Sequence, residues 1–508
     1  MLQHSALTNT HKGHAWEVDT MINLLDKFAN VFANLGAHTA SETDYIENEI
    51  YQFMHSPKRE DMLIGERYYV GNHDILRRQR EMIGENGKLE PVDNLPNNRV
   101  VNNQYAKMVD QKTNYLLGRA VSIQTDNDAY SEALTDILGS AFHRTLKNIG
   151  EDALNCGLGW LLVHYDEHGE LMLKRIRPYE LIPGWKDAEH TILDFAIRIY
   201  PVIECEGTSE DVGWRVEVFD KTGISYFEYD GSLLPVAPYH ENYITKITGS
   251  EEQGFNWERI PLIAFKYNSK EIPLIKKCKA LQDGINAMMS DFENNMQEDA
   301  RNTILVLTNY DGENLGDFRR NLATYGAVKI RNTSETHGGV STLKIDVNAD
   351  NYNLILNLLK QALIENAMGY DAKDDRLSGN PNQMNIQSMY SDIDLDANGM
   401  EMEFQAAMEE LLWFLDAHFA NTGQGDFADE HADIIFNRDV LINESELIAN
   451  LRASEGMIST ETRLAKHPYV TDPQLELERI QQEERETMQQ MADYQGLGVG
   501  GEPDAEKR

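Results

Sequence analysis

The carboxylates Asp392, Asp394 and Asp396, followed by Asn398 and Glu403, are spaced so that they could wrap a calcium ion, with Glu403 at the twelfth position of an EF-hand-like loop. The sixth position of such a loop needs glycine for its sharp turn, but here it is Ala397, and Ile393 and Leu395 separate the acids. Acids opening a helix, near its positive N-terminal end, account for the run better. A phosphate-binding loop fails likewise. Gly84–Lys88 reads GENGK but lacks the upstream glycine, the following Ser/Thr and the strand-to-helix setting. No GxGxxG, GxSxG or HExxH occurs. His11 and His14 fall in a loose N-terminal stretch, and His164 and His168 flank a turn with no carboxylate or Cys at ligand spacing. Cys156, Cys205 and Cys278 are odd in number and far apart, so neither a disulfide framework nor a Cys zinc site is expected. Basic residues come in small groups: Arg77, Arg78 and Arg80; Lys174, Arg175 and Arg177; Lys276, Lys277 and Lys279; Arg319 and Arg320. None is interleaved with aromatics as a nucleic-acid stacking platform requires. The expectation is a chain with no catalytic residue, metal or cofactor.

The elements carrying these residues follow from hydrophobic period. Met21, Leu24, Leu25, Phe28, Val31, Phe32 and Leu35 mark one helix, and Ser41 with Asp44 could cap a second carrying Ile46, Ile50 and Phe53. A third starts at Pro57 and runs toward Tyr69. Residues 84–98 read as a polar loop, and a helix over about 103–117 ends at Gly118. From about 159 to 267 the pattern alternates between turn signals, which predicts a mainly antiparallel β region. Leu274, Cys278, Leu281, Ile285, Met288, Phe292 and Met296 then step along one seam of a helix over 274–299, about 39 Å long. A β-α-β insert follows, with strand 304–307, helix 314–325 and strand 327–330. After it come a strand-like 340–347, a helix over 349–368 and a loop over 369–385. A helix over 386–420 has Gly399 as a bend point. Strand ADIIF, a helix from near Ser445 and an acidic helix at 474–493 close the pattern, leaving the tail from 494 to 508 expected to be disordered.

Composition narrows the partners. In 508 residues, 46 Lys and Arg face 84 Asp and Glu, a formal charge of −38 that opposes binding to duplex DNA or anionic membrane through the average surface. Hydrophobic residues at 41% are enough to build cores. A mean hydropathy of −0.51, with no apolar run near eighteen residues, excludes a helical membrane span. The opening residues carry no hydrophobic signal core, so an intracellular product is expected. The residues alone thus give a large acidic α+β protein with long helices.

Particular blocks go further. YYVGNH (68–73), NNRVVNN (97–103), MVDQKTNYLLG (108–118), GLGW (157–160) and PYELIP (178–183) resemble the portal proteins of long-tailed bacteriophages. So do YSDIDLDAN (390–398), EFQAAMEELLWF (403–414), ISTET (458–462) and HPYVTDP (467–473). The resemblance implies a portal-type α+β architecture. A flexible N-terminus (1–16) would lead into an α/β wing (17–270), a stem helix (271–300), a clip (301–347) and a second stem helix (348–368). A tunnel loop (369–385), a long helix with the wing return (386–450), a helical crown (451–493) and the tail would follow. It implies a homo-oligomeric ring, a 12-mer in the virion, at one capsid vertex. Such a ring is assembled in the host cytoplasm and passes double-stranded DNA without sequence readout during packaging and ejection. Terminase, major capsid and scaffolding proteins and a head-tail adaptor are the implied partners, with no membrane. The alternative is another virion structural or neck protein without a DNA channel.

On this reading the seam from Leu274 to Met296 packs the stem, either within one chain or between subunits. Asp317, Arg319 and Arg320 give the clip a polar surface for docking terminase. The tunnel-loop residues Lys373, Arg376, Ser378, Asn380, Asn382 and Gln383 meet passing DNA weakly, since Gly and Asn permit unusual backbone angles there while Pro381 limits them. Twelve copies at −38 would carry about −456, a field that keeps a conduit from gripping phosphate.

Overall fold

The computed structural model describes residues 40–83, 87–91, 95–206, 209–248, 251–299, 304–308, 339–343, 349–371, 383–438, 444–467 and 469–470, with 476–477, 479–483 and 485. They fall into two compact units. One runs up to Gly369 and resumes over Leu395–Arg438; the other comprises Tyr370–Asp394 and the residues from Asp439 on. Helix and strand are mixed throughout the first unit. The expected helix over 21–35 lies outside the described residues.

Helix α1 (Ala40–Met54) begins one residue before the expected cap, so Ser41 is already helical. Helix α2 (Pro57–Tyr69) starts where Pro57 predicts, and Ser56 caps it by accepting the Arg59 N–H at 3.1 Å. Strand β1 (Glu81–Ile83) pairs antiparallel with β2 (Leu89–Pro91), which lies within the stretch expected as loop. Helix α3 (Gln104–Leu117) is capped by Asn103, which accepts the Ala106 N–H. Its end at Gly118 keeps helical angles (φ −72°, ψ −23°) instead of turning left-handed. After β3 (Ser122–Gln124) come two helices that the hydrophobic pattern left unnamed, α4 (Asp128–Ile137) and α5 (Ser140–Cys156). Gly157 ends α5 at φ +91°, and a Cβ there would meet the Glu271 carbonyl oxygen at 2.1 Å, so only glycine fits.

The β region is antiparallel, as its alternation predicts. Strand β4 (Leu158–Tyr165) is central between β5 (Leu171–Ile176) and β13 (Leu262–Lys266). A five-stranded sheet runs, in sequence order, through β6 (Leu181–Trp185), β7 (Leu193–Glu206), β8 (Ser209–Asp220), β9 (Gly223–Tyr229) and β10 (Leu233–Glu241). The register sets Ile197 opposite Val218, Ile199 opposite Val216, and Val216 opposite Phe227. These side chains share one buried face, covered by Ile46 and Ile50 of α1. Strands β11 (Ile244–Thr248) and β12 (Glu251–Phe255) form a separate hairpin.

Helix α6 (Ile275–Asp299) starts one residue after the expected point. Strand β14 (Ile304–Thr308) pairs antiparallel with β15 (Gly339–Leu343), so the first insert strand has the 340s strand as its partner. The expected helix 314–325 and strand 327–330 lie outside the described residues. Helix α7 (Ala349–Asn366) precedes α8 (Gln383–Thr422), whose 40 residues continue through Gly399. Because α8 starts at Gln383 and not near 386, Asp392, Asp394 and Asp396 lie in its interior, and the helix-opening role expected of them does not apply. Strand β16 (Asp433–Ile435) pairs with β3. Helices α9 (Glu444–Ala453) and α10 (Thr460–Ala465) follow, with Ser459 accepting the Thr462 N–H as the cap of α10.

The main core forms around one face of α8. Met400, Phe404, Ala407, Leu411, Leu415 and Phe419 are buried at three- and four-residue steps. Phe404 meets Phe265 of β13 edge-on at 5.1 Å, and Phe414 meets Trp257 at 5.4 Å. Each such fully buried side chain is worth about 1.5–3 kcal/mol.

Candidate functional site

Helix α6 has two buried stripes of different chemistry. The apolar stripe follows the expected seam only in its first half. Leu274, Cys278 and Ile285 have no exposure, Leu281, Met288 and Phe292 are half-buried, and Met296 is 52% exposed. The first half therefore packs within the chain's own core, where Leu274, Cys278 and Ile285 join the α8 cluster. The second half faces α7. Phe292 lies 5.0 Å from the Tyr352 ring, and the Asn295 side-chain N–H donates to the Tyr352 hydroxyl at 2.9 Å.

The other stripe is polar and missing from the apolar pattern. Gln282, Asn286, Ser290 and Asn294 stand at four-residue steps and are almost wholly buried. They accept backbone N–H groups from the extended run 98–102 and from Tyr105 in the first turn of α3. Asn98 donates to Asn294 at 2.7 Å, Val100 to Ser290 at 2.9 Å, Asn102 to Asn286 at 2.9 Å, and Tyr105 to Gln282 at 2.9 Å. A buried helix face thus satisfies backbone donors of an extended run that belongs to no sheet. The strict four-residue spacing was a readable signal, hidden beside the apolar seam.

Charged pairs anchor these helices to the rest of the chain. Glu271, buried just before α6, takes Lys58 at 2.5 Å and His190 at 2.6 Å, with Lys266 3.8 Å away. Burial opposes its ionisation, but Lys58 and then His190 outweigh that and hold its carboxyl below the usual range. Lys112 of α3 is buried against Asp396 of α8 at 2.6 Å, and Tyr267 also donates to Asp396 at 2.9 Å. Burial pushes the Lys112 ammonium down from its ordinary value, with Asp396 opposing. Burial pushes the Cys278 thiol up to about 12, with Lys112 and Lys277 opposing, so it is not a ready nucleophile.

The basic groups are largely paired with acids. Arg78 meets Asp291, Arg175 meets Asp152, Lys276 meets Asp61, and Lys279 bridges Asp74 and Asp283. Among the described residues no group of three or more His, Cys, Asp or Glu is placed to hold a metal, and no helix is long and apolar enough to cross a membrane. Asp317, Arg319, Arg320, Lys373, Arg376, Ser378, Asn380 and Asn382 lie outside the described residues, as does the side chain of Gln383.

Helix α7 is apolar on two sides. Leu356, Leu359 and Leu363 pack on the core, while Leu354, Ile355 and Leu358 are 59%, 44% and 56% exposed. The expected seam did not include this second stripe.

Comparison with known proteins places this arrangement. Residues 51–490 match the family model described as phage portal protein, SPP1 Gp6-like. The portal protein of Bacillus phage SPP1 is 30% identical over 460 residues, spanning 89% of each chain. The portal protein of Clostridium phage phiCD119 is 27% identical over 446 residues, covering 84% of this chain and 93% of that one. Among solved structures, the neck of a native gene transfer agent particle, computed with C12 symmetry, aligns with a TM-score of 0.36 and 12% identity. It covers 71% of this chain and 88% of the other. With its family model matched over most of its length, the chain belongs to the SPP1 Gp6-like family of phage portal proteins.

Proposed function

We propose that this chain is the subunit of a portal ring, a twelve-membered homo-oligomer at one capsid vertex through which double-stranded DNA passes in packaging and ejection. The observation that carries the reading is the family match over residues 51–490, joined by relatives covered almost end to end. Helices α6 and α7 are the two stem helices, and β14 with β15 forms the base of the clip. Residues 17–270 and the return through β16 make the wing, and 451–493 the crown. The tunnel loop, with Lys373, Arg376, Ser378, Asn380, Asn382 and Gln383, lines the channel. Asp317, Arg319 and Arg320 of the clip receive terminase. Capsid and scaffolding proteins and a head-tail adaptor take other surfaces, and the ring resides in the virion after assembly in the host cytoplasm.

The ring also gives the second apolar side of α7 a partner. A contiguous exposed apolar stripe on a helix marks an interaction surface, and one chain buries only the other stripe of α7 here. In the ring, Leu354, Ile355 and Leu358 lie against the neighbouring subunit. The clip assignment is tested by reversing the charge of Arg319 and Arg320. Rings should still form while terminase binding falls, and unaltered binding at every ionic strength removes terminase from this surface. The loop assignment is tested by pairing cysteines at Ser378 and Asn382 across adjacent subunits in a background lacking the three native thiols. Packaging should stop and resume on reduction, and normal packaging through fully crosslinked loops puts them off the DNA path.

A further inference from the structure

The polar stripe of α6 and the Lys112 anchor belong to one uninterrupted piece of chain. Between Asn98 and Asn102 the chain is extended and offers every second N–H to α6. Four helical residues rise about 6.0 Å and two extended residues about 6.6 Å, so the rungs stay in step along the contact. Gln282 answers with its own N–H to the Asn102 carbonyl at 2.7 Å and a second to Asn286 at 3.0 Å. The chain then enters α3 through the Asn103 cap, and the Tyr105 N–H makes the last rung.

Seven residues further on, Lys112 reaches two other helices. Its Nζ donates to Asp396 of α8 at 2.6 Å and to the carbonyl of Met368 at 3.1 Å. Met368 lies just past α7 at φ +53°, where its N–H returns to the Glu365 carbonyl and the Gly369 N–H to that of Ile364. A Cβ on Gly369 would come within 2.7 Å of Met108 Sδ, so this helix end is seated directly on α3. Between its two anchors α3 is itself core, with Tyr105, Met108 and Val109 fully buried.

We propose that residues 98–112 form a bracket that makes α6 and the C-terminal end of α7 respond as one body, so that loosening either anchor loosens the other through α3. Apolar contacts alone would let a helix slide. Here a slip leaves the buried Gln282, Asn286, Ser290 and Asn294 side chains and the half-buried N–H donors of Asn98, Val100 and Asn102 without partners, so the ladder fixes the register of α6 on the segment that also holds α7. Coupling of this kind is reciprocal.

The test is hydrogen exchange on the full-length protein, comparing the native sequence with Asn286→Leu at a rung and Lys112→Met at the other anchor. Each variant should raise exchange about tenfold or more both at the 98–102 amides and at the 367–369 amides, with the α8 amides from Phe404 to Leu415 unchanged. Changes confined to the substituted anchor would overturn the bracket. So would a loss of protection spreading equally into α8, which is general destabilisation. If Lys112→Met does not fold, Ser290→Ala is the second probe. It should carry a smaller signal to 367–369, and silence there overturns the proposal.

Discussion

His73 is fully buried, and its neighbours assign both ring nitrogens. The Asn286 side-chain oxygen already accepts from the Asn102 N–H and from Gln282, so Asn286 must turn its N–H to His73 Nδ1, at 2.7 Å. His73 Nδ1 is therefore the acceptor, and Nε2–H donates to the Tyr68 carbonyl at 3.0 Å. A second ring proton would point at a donor. Burial pushes the His73 pKa below its ordinary 6.5, although the Tyr68 carbonyl and then Asn103 oppose the shift. Because the folded value is depressed, the neutral ring's contribution to stability is fully present above about pH 6.5 and is lost as the pH falls toward the folded value. His418, also depressed by burial against the opposition of Glu170, has the same sign, so a variant is needed to separate them. Thermal unfolding between about pH 7.5 and about pH 5 should show a shallower loss for His73→Gln than for the native chain. Equal slopes would mean that His73 does not titrate in this window. Asn286→Leu, which orphans the Asn102 N–H and the His73 acceptor, should cost roughly 2–4 kcal/mol in chemical denaturation.

Helices α6 and α7 separate what holds a subunit together from what is available to join subunits. Ile285 is in the core, so an acidic residue there would damage the fold and leave assembly untested. Leu354 and Leu358 are more than half exposed, and Leu354→Asp with Leu358→Asp should leave unfolding nearly unchanged while abolishing rings in sedimentation velocity. Rings of native yield would return this face to solvent. Phe404→Ala, by contrast, should cost about 3–5 kcal/mol, because it empties a site fully enclosed between α8 and β13.

Period and punctuation made much of this layout readable. Pro57 marked the start of α2, Gly118 the end of α3, and the 274–299 step pattern gave α6 to within a residue. Helix α5 escaped because Gly139 precedes it without a capping side chain and Gly150 interrupts its pattern. That glycine is needed, since a Cβ would strike Leu117 Cδ1 at 2.3 Å. The β1–β2 hairpin is too short to show an alternation. The anchors were not readable at all. Lys112 and Asp396, or Lys58 and Glu271, meet only after the chain has folded, and no local spacing announces a partner so distant in sequence.

At the scale of the whole molecule, −38 per subunit makes ring closure an electrostatic problem as well as a packing one. Like-charged subunits repel, and salt screens that repulsion, so raising ionic strength from about 0.05 M to about 0.5 M should shift subunits toward rings. Rings that fall apart with salt would show that intersubunit ion pairs, and not the apolar α7 face, supply the attraction. The central claim is the ring with its channel, and electron cryomicroscopy of the purified full-length protein tests it most directly. The account predicts closed cyclic rings of twelve or a neighbouring number of subunits around an open central channel, with Leu354 and Leu358 at the subunit contacts. Discrete monomers, open filaments, or closed particles without a through-channel would contradict it.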